Sequence, residues 1–183
     1  MRTIRNYLLL ILCITWFTTA HSQLAAFKMI GKNSSNAKIG FGTFAFTQIP
    51  LNEVGNRNVV IEYLDFAFFP QKNEDLVSII AYLSIKAGYK YIFSEESNTG
   101  FYVEPSVGYC RVVSSDDDIN GKGYGDGIAV AGEAGYILGV GQRDNTINFG
   151  VKYETDMAGA KYKVSSIGLR VSYSFHLFRK RRD

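Results

Sequence analysis

Charged side chains of both signs occur at alternating positions in several segments of this sequence. A face that gathers equal numbers of acids and bases predicts a network of salt bridges, because buried charges must be paired. The same set could instead line a path for ions, which is the alternative interpretation. The bases are Lys86, Lys90, Lys152 and Arg170, and the acids are Glu62, Glu104, Glu133 and Glu154.

An acidic stretch after the middle of the chain resembles the first half of a calcium-binding loop. Asp116, Asp118 and Asn120 have the spacing of its first three oxygen ligands, and Gly121 follows where the loop turns. The final ligand should be a glutamate, but Gly127 occupies that position. We therefore favour a solvated surface loop, with calcium binding at the three residues as the alternative.

Ser174 and His176 are the residue types that a serine hydrolase uses as nucleophile and base. Catalysis requires an acid that orients the histidine, and all three groups must converge. The pattern supplies no such acid, so we predict that the protein is not an enzyme. Residues 121–127 are rich in glycine but lack the strand-to-helix setting of a phosphate-binding loop, and no cofactor is expected.

The segments that carry these residues have a two-residue period, which is typical of β-strands. In residues 165–178, for example, Ile167, Leu169 and Val171 alternate with Gly168 and Arg170. Short stretches rich in Gly, Asn, Asp, Ser or Pro separate the segments and predict turns, hence an antiparallel meander. Five predicted strands are regular, at 81–93, 100–113, 127–139, 146–156 and 165–178, and two are less regular, at 37–49 and 59–69.

The first 22 residues have the composition of a secretory signal peptide. Arg2 and Arg5 precede an apolar run at 7–17, which is shorter than the roughly 20 residues of a membrane-spanning helix. Small residues at Ala20 and Ser22 predict cleavage before Gln23.

The remaining chain predicts a single domain of near-neutral charge. Removal of the signal takes two of the 20 Lys and Arg residues and leaves 17 Asp and Glu, a net charge of +1, which argues against a nucleic-acid partner. Only Cys110 remains of the two cysteines, so an internal disulfide is excluded. We predict a barrel domain at 23–178, followed by a basic tail at 179–183.

The polar face of the strands indicates which side points inward. It consists mostly of Gly, Ser and Ala with one or two charges per strand, which suits the narrow lumen of an eight-stranded barrel. The other face carries aliphatic residues in the middle and aromatic residues such as Tyr89, Tyr109 and Tyr136 near the ends, as in the girdles of membrane barrels. A soluble lipocalin-like barrel in the periplasm, with the apolar face inside around an apolar ligand, is the alternative.

Seven strands are one too few, because bacterial membrane barrels have even strand numbers and both chain ends in the periplasm. Residues 24–30 are the segment left to supply the eighth strand. The sequence therefore predicts an all-β, eight-stranded antiparallel up-and-down transmembrane barrel. The long loop at 114–126 then lies outside the cell, and the connections at 50–57, 94–99 and 140–145 lie in the periplasm.

Two strands, Gly100-Phe101-Tyr102-Val103-Glu104-Pro105-Ser106-Val107-Gly108-Tyr109 and Gly168-Leu169-Arg170-Val171-Ser172-Tyr173-Ser174-Phe175, resemble those of small outer-membrane barrels of the OmpA/OmpX and porin-like superfamily. The resemblance covers the chain after its signal. It implies a Gram-negative outer membrane with lipopolysaccharide, and insertion by the barrel assembly machinery. That machinery reads a C-terminal aromatic residue, whereas here Phe178 is followed by the basic tail.

These observations predict a non-enzymatic outer-membrane barrel with a structural or surface-interaction role through its external loops. The surface partner is not specified by the sequence. A third possibility, besides the soluble ligand-binding barrel, is a lipid A hydrolase that uses Ser174 and His176.

Overall fold

A computed structural model describes residues 20–31, 37–72, 77–95, 97–114, 124–140, 145–158 and 162–175. Eight β-strands account for most of these residues, and each strand is antiparallel to the next. No helix in the described part of the chain is long and apolar enough to cross a membrane. The strands are β1 (Ala20–Ile30), β2 (Gly40–Pro50), β3 (Arg57–Lys72), β4 (Val77–Ile92), β5 (Gly100–Ser114), β6 (Tyr124–Val140), β7 (Asn145–Ala158) and β8 (Tyr162–Phe175).

The sheet closes on itself through the pairing of β8 with β1. The register runs without interruption from Ala20 opposite Phe175 to Ile30 opposite Ser165. This closure confirms the predicted eight-stranded up-and-down barrel, in which residues 24–30 belong to β1, the strand that brings the number to eight. Pairing begins at Ala20, three residues before the predicted cleavage point, so cleavage before Gln23 would shorten β1 at its start.

The polar face of the strands lines the lumen, as predicted. In β5 the side chains of Tyr102 and Glu104 are buried, at 2% and 5% exposure, whereas Phe101 is 68% exposed. The alternation continues through most of β4 to β8. The soluble alternative requires the charged face outside and the apolar face inside, and the structure contradicts that arrangement.

A β-bulge in β3 explains why this strand looks irregular in sequence. Between Glu62 and Asp65 the register shifts by one residue against β4, and a matching shift occurs against β2 between Ala45 and Phe46. A bulge places two residues of one strand opposite one of its partner. Both Tyr63 and Leu64 consequently point outward, with exposures of 46% and 38%, and Asp65 returns to the lumen.

The pairing of β1 with β2 is the shortest in the barrel. Three consecutive positions are in register, from Ala25 opposite Gly42 to Phe27 opposite Gly40. Beyond them, the Thr43 hydroxyl donates a hydrogen bond of 3.2 Å to the Gln23 carbonyl. A side chain thus replaces the backbone ladder where β1 and β2 separate.

The barrel has two distinct ends, which we call terminal and distal. The terminal end carries the start of β1 and the finish of β8. The turn at 51–56 also lies there, held by the side chain of Asn52, whose Oδ1 accepts a hydrogen bond of 3.1 Å from the Gly55 amide. Gly55 has a positive φ of 74°, a conformation that glycine adopts without strain. The distal end carries the connections after β1, β3, β5 and β7.

A candidate functional site in the barrel lumen

A cluster of charged side chains fills the centre of the lumen. Lys86 Nζ lies 2.6 Å from Asp65 Oδ2, 2.8 Å from Glu154 Oε1 and 3.2 Å from Glu62 Oε2. It also donates a hydrogen bond of 2.8 Å to the Ser84 hydroxyl. Three acids from β3 and β7 thus surround one ammonium group from β4.

Lys152 on β7 reaches the same three acids from the opposite wall. Its Nζ lies 2.6 Å from Glu154 Oε2 and 3.4 Å from Glu62 Oε2, and it forms a further ion pair with Asp65. Each acid is therefore shared between two lysines. Glu154 uses both of its carboxylate oxygens in this way, whereas both lysines contact the same oxygen of Asp65. Several contacts per charge are what a buried ion pair requires if it is to offset its desolvation.

Arg170 links this central cluster to the residues nearer the terminal end. Its Nη1 lies 2.6 Å from both Glu62 Oε1 and Glu133 Oε2, and its guanidinium carbon lies 3.4 Å from the centre of the Phe44 ring. Glu133 in turn accepts a hydrogen bond from the Tyr102 hydroxyl. The guanidinium thereby connects β8 with β2, β3 and β6.

Lys90 and Glu104 form a separate pair, with 2.9 Å between Nζ and Oε2. The ammonium group also lies 4.6 Å from the ring centre of Tyr102 and 5.3 Å from that of Phe46. Aromatic faces attract cations at these distances. The Lys90–Glu104 pair therefore packs against these two rings and forms no ion pair with the described acids and bases of the central cluster.

The structure brings together in one lumen the eight charged residues that the sequence singled out. It adds Asp65 and Asp156, both fully buried, which the sequence analysis missed. Asp65 was obscured by the bulge in β3, because its parity differs from that of Glu62. Asp156 follows Glu154 by two residues on β7, so the alternation that identified Glu154 could have found it.

Apolar side chains close the lumen at both ends of the cluster. Phe27, Phe69 and Tyr82 pack together toward the distal end, with ring centres 6.0 to 6.2 Å apart. Ile92, Tyr102 and Ile137 form a second buried cluster toward the terminal end. Apolar side chains therefore cover the charged cluster on both sides.

A small cavity lies between Arg170 and the terminal-end cluster. It is lined by Phe44, Phe46, Tyr102 and Asn148 as well as the charged groups, and about 10 Å³ at its centre is free, which is room for one water molecule. Arg170 Nε and Nη2 and Asn148 Oδ1 have no hydrogen-bond partner among the described residues. The cavity is too small for an organic ligand, and a bridging water fits it.

The other candidate residues of the sequence analysis lie almost entirely outside the described part of the chain. The proposed calcium ligands Asp116, Asp118 and Asn120 lie outside the described residues, as do His176, Phe178 and the basic tail. Ser174 is buried near the terminal end. Within the described ranges, no group of three His, Cys, Asp or Glu side chains is placed to hold a metal ion.

The fold and the lumen define a class of protein: an up-and-down transmembrane barrel with an apolar exterior and an interior closed by charged and aromatic side chains. Comparison with solved structures agrees. The chain is similar to Ail, the attachment invasion locus protein of Yersinia pestis, in its complex with the heparin analogue sucrose octasulfate. The TM-score is 0.55 at 16% identity, covering 87% of this chain and 100% of that one.

Two further structures match over a similar share of the chain. Ail of Yersinia pestis without that ligand matches with a TM-score of 0.51 at 13% identity, over 87% of this chain and 100% of that one. The N-terminal β-barrel domain of Pseudomonas aeruginosa OprF is more distant, with a TM-score of 0.44 at 13% identity over 86% and 98% of the chains. No protein-family model matches the sequence, and no curated protein matches it. What the two Ail structures share with this chain is the fold.

Proposed function

We propose that this protein is a non-enzymatic barrel of the Gram-negative outer membrane that acts as a structural element or presents its distal loops to a partner at the cell surface. The observation that carries the proposal is the filled lumen. Lys86, Lys152 and Arg170 tie β3, β4, β6, β7 and β8 together from inside, which leaves the exterior and the loops as the surfaces available for interaction.

The apolar outer surface supports the proposal that the barrel is embedded in lipid. Leu24, Leu169 and Val107 are 72%, 63% and 55% exposed, an apolar coverage that a protein in water rarely presents over its whole circumference. Aromatic pairs lie at the terminal end, where Phe101 and Tyr136 have ring centres 4.8 Å apart and Tyr91 and Phe93 5.0 Å apart. Such aromatic residues mark the lipid–water interface of membrane barrels.

The topology proposed with this function follows from export. The signal peptide is removed, and the barrel assembly machinery inserts the chain into the outer membrane. The terminal end then lies in the periplasm, and lipopolysaccharide surrounds the distal half. The eight charged residues of the sequence analysis, together with Asp65, have a structural role in the lumen. The connection at 115–123, which is as long as the one at 31–39, then faces the medium.

A loop exchange tests the surface role. Cells that display the protein are compared with cells in which 115–123 is replaced by a Gly-Ser linker, and binding to host-cell or sulfated-polysaccharide surfaces is measured. The latter is a reasoned first probe because the similar Ail structure contains a heparin analogue. Replacement of the turn at 51–56, at the opposite end, is the matched control. The proposal expects loss of binding for the 115–123 exchange alone; equal binding by both variants would leave only the structural role.

The lipid A hydrolase is the remaining alternative, and a direct assay separates it. Folded protein is incubated with purified lipid A and the products are analysed by mass spectrometry, beside Ser174→Ala and His176→Ala variants. We expect no product from the unmutated protein. Deacylation that both substitutions abolish would overturn the non-enzymatic proposal.

A further inference from the structure

Asp156 is the one fully buried carboxyl group of the described lumen that lacks a cationic partner. Its neighbour on β7, Glu154, contacts both Lys86 and Lys152. Neither oxygen of Asp156 has a hydrogen-bond partner, although the side chain is 0% exposed. The two aspartates of the lumen, Asp65 and Asp156, thus have opposite environments at equal burial.

Without Asp156, the described lumen already holds five acids against four bases. Lys86, Lys152 and Arg170 compensate Glu62, Asp65 and Glu154 in the central cluster, and Lys90 compensates Glu104. Glu133 shares Arg170 and accepts the Tyr102 hydroxyl. An ionised Asp156 would add an unpaired negative charge to an interior of low dielectric constant, which is strongly unfavourable.

The groups that face Asp156 do little to stabilise its ionised form. On β8 the residue opposite it is the buried Val164, and the buried Tyr82 side chain of β4 lies near it. Glu154 and Asp65 repel a second charge, and Lys86 is engaged by three other acids. The thiol of buried Cys110 on β5 faces it as well, and a thiol is a weak donor.

Unpartnered oxygen atoms concentrate in the same part of the lumen. Asp65 Oδ1, the Tyr82 hydroxyl and the Ser166 hydroxyl have no hydrogen-bond partner among the described residues. A carboxylate only accepts hydrogen bonds, whereas a carboxylic acid at Asp156 brings an O–H that the neighbouring Glu154 carboxylate can accept. The adjacent carboxylate, and the lack of an ion-pair partner for Asp156 in the described lumen, therefore match a protonated side chain.

We propose that Asp156 is a proton-binding site, held as a neutral carboxylic acid between the charged cluster and the apolar distal end of the lumen. With Asp156 the described lumen holds six acids against four bases, and the proton removes the charge of the one acid that forms no ion pair with any of them. The folded barrel then requires a proton at this position just as it requires Lys86 at the centre. A neutral acid also forms the boundary between the ionic layer and the apolar packing of Tyr82 and Val164.

Infrared spectroscopy of the folded protein in vesicles at neutral pH tests this directly. The unmutated protein should show the carbonyl band of a protonated carboxylic acid, and the band should shift when aspartate carries ¹³C at its side-chain carboxyl. Asp156→Asn should lose the band and Asp65→Asn should keep it. The isotope shift assigns the band to an aspartate, and its loss in Asp156→Asn assigns it to position 156. The absence of an isotope-sensitive band in the unmutated protein would overturn the proposal even if the variant fails to fold.

Unfolding equilibria give an independent reading. Because Asp156→Asn replaces a neutral group by another of the same shape, its unfolding constant should stay within about tenfold of the unmutated value. Asp65→Asn removes an ion-pair partner and should raise that constant by more than about a hundredfold. A spectrum with carboxylate bands alone, or an Asp156→Asn variant as unstable as Asp65→Asn, would overturn the proposal and indicate a bound cation or water at Asp156.

Discussion

Lys86 on β4 and Glu154 on β7 meet across the lumen, with 2.8 Å between Nζ and Oε1. The two strands are three apart in the barrel and share no backbone hydrogen bonds. Their side chains therefore connect parts of the wall that the sheet joins only through the intervening strands. Contacts between side chains in the lumen therefore help to stabilise the closed barrel.

Loss of the Lys86 ammonium group should destabilise the barrel strongly. Lys86→Met keeps the length of the side chain but leaves Glu62, Asp65 and Glu154 with one lysine fewer. We expect the free energy of unfolding to fall by about 3–5 kcal/mol, the usual effect of breaking a buried ion pair. Denaturant titration in lipid vesicles measures it. Lys38→Met, at an exposed site, is the control and should change stability by no more than about 0.5 kcal/mol; similar values for both variants would contradict the role given to Lys86.

The pair of Lys90 and Glu104 should behave differently when both charges are removed. Lys90→Met and Glu104→Gln each leave one buried charge without its partner, and each should lower the free energy of unfolding by about 3 kcal/mol. The double variant leaves no unpaired charge, and Met keeps an apolar contact with the rings of Phe46 and Tyr102. Its stability should return to within about 1 kcal/mol of the unmutated protein. Additive losses in this double-mutant cycle would show that the two residues are not coupled.

Gly150 should not tolerate a side chain, because a Cβ there would collide with the carboxylate of Glu133 and would lie 2.6 Å from the Tyr102 hydroxyl. Gly150→Ala should therefore disturb the contacts among Glu133, Tyr102 and Arg170 and lower stability by about 1–3 kcal/mol. Gly132 is the matched control, since a Cβ there meets nothing within 4 Å. Equal stability of the two alanine variants in the same unfolding assay would show that the lumen is looser than described.

Sequence periodicity predicted the barrel and the orientation of its faces, because a closed sheet with a narrow lumen imposes the same alternation on each strand. It identified eight charged lumen residues for the same reason. It failed at Asp65, because a bulge shifts the parity of β3 after Glu62 and no turn residue marks the shift. Periodicity also did not predict that β3 extends to Lys72 or that β1 pairs with β2 over a short stretch, since both features depend on contacts between strands.

A lysine on the exterior distinguishes a membrane barrel from a soluble one. Leu169 lies near the middle of β8 and is 63% exposed. In lipid, Leu169→Lys should cost about 2–4 kcal/mol, whereas an exposed substitution in water changes stability by no more than about 0.5 kcal/mol. Leu51→Lys, in the turn at 51–56 and 56% exposed, is the control and should be tolerated. Tolerance at both positions would argue against lipid contact at Leu169.

The most direct test of the central claim is where the protein resides and whether its barrel stays closed in detergent. Cells that express the full chain are separated into soluble periplasm and outer membrane, and heated and unheated samples are compared by gel electrophoresis. We predict recovery in the outer membrane and a mobility that changes on heating, as a closed barrel opens. Recovery in the soluble fraction without detergent, with one mobility before and after heating, would contradict the account.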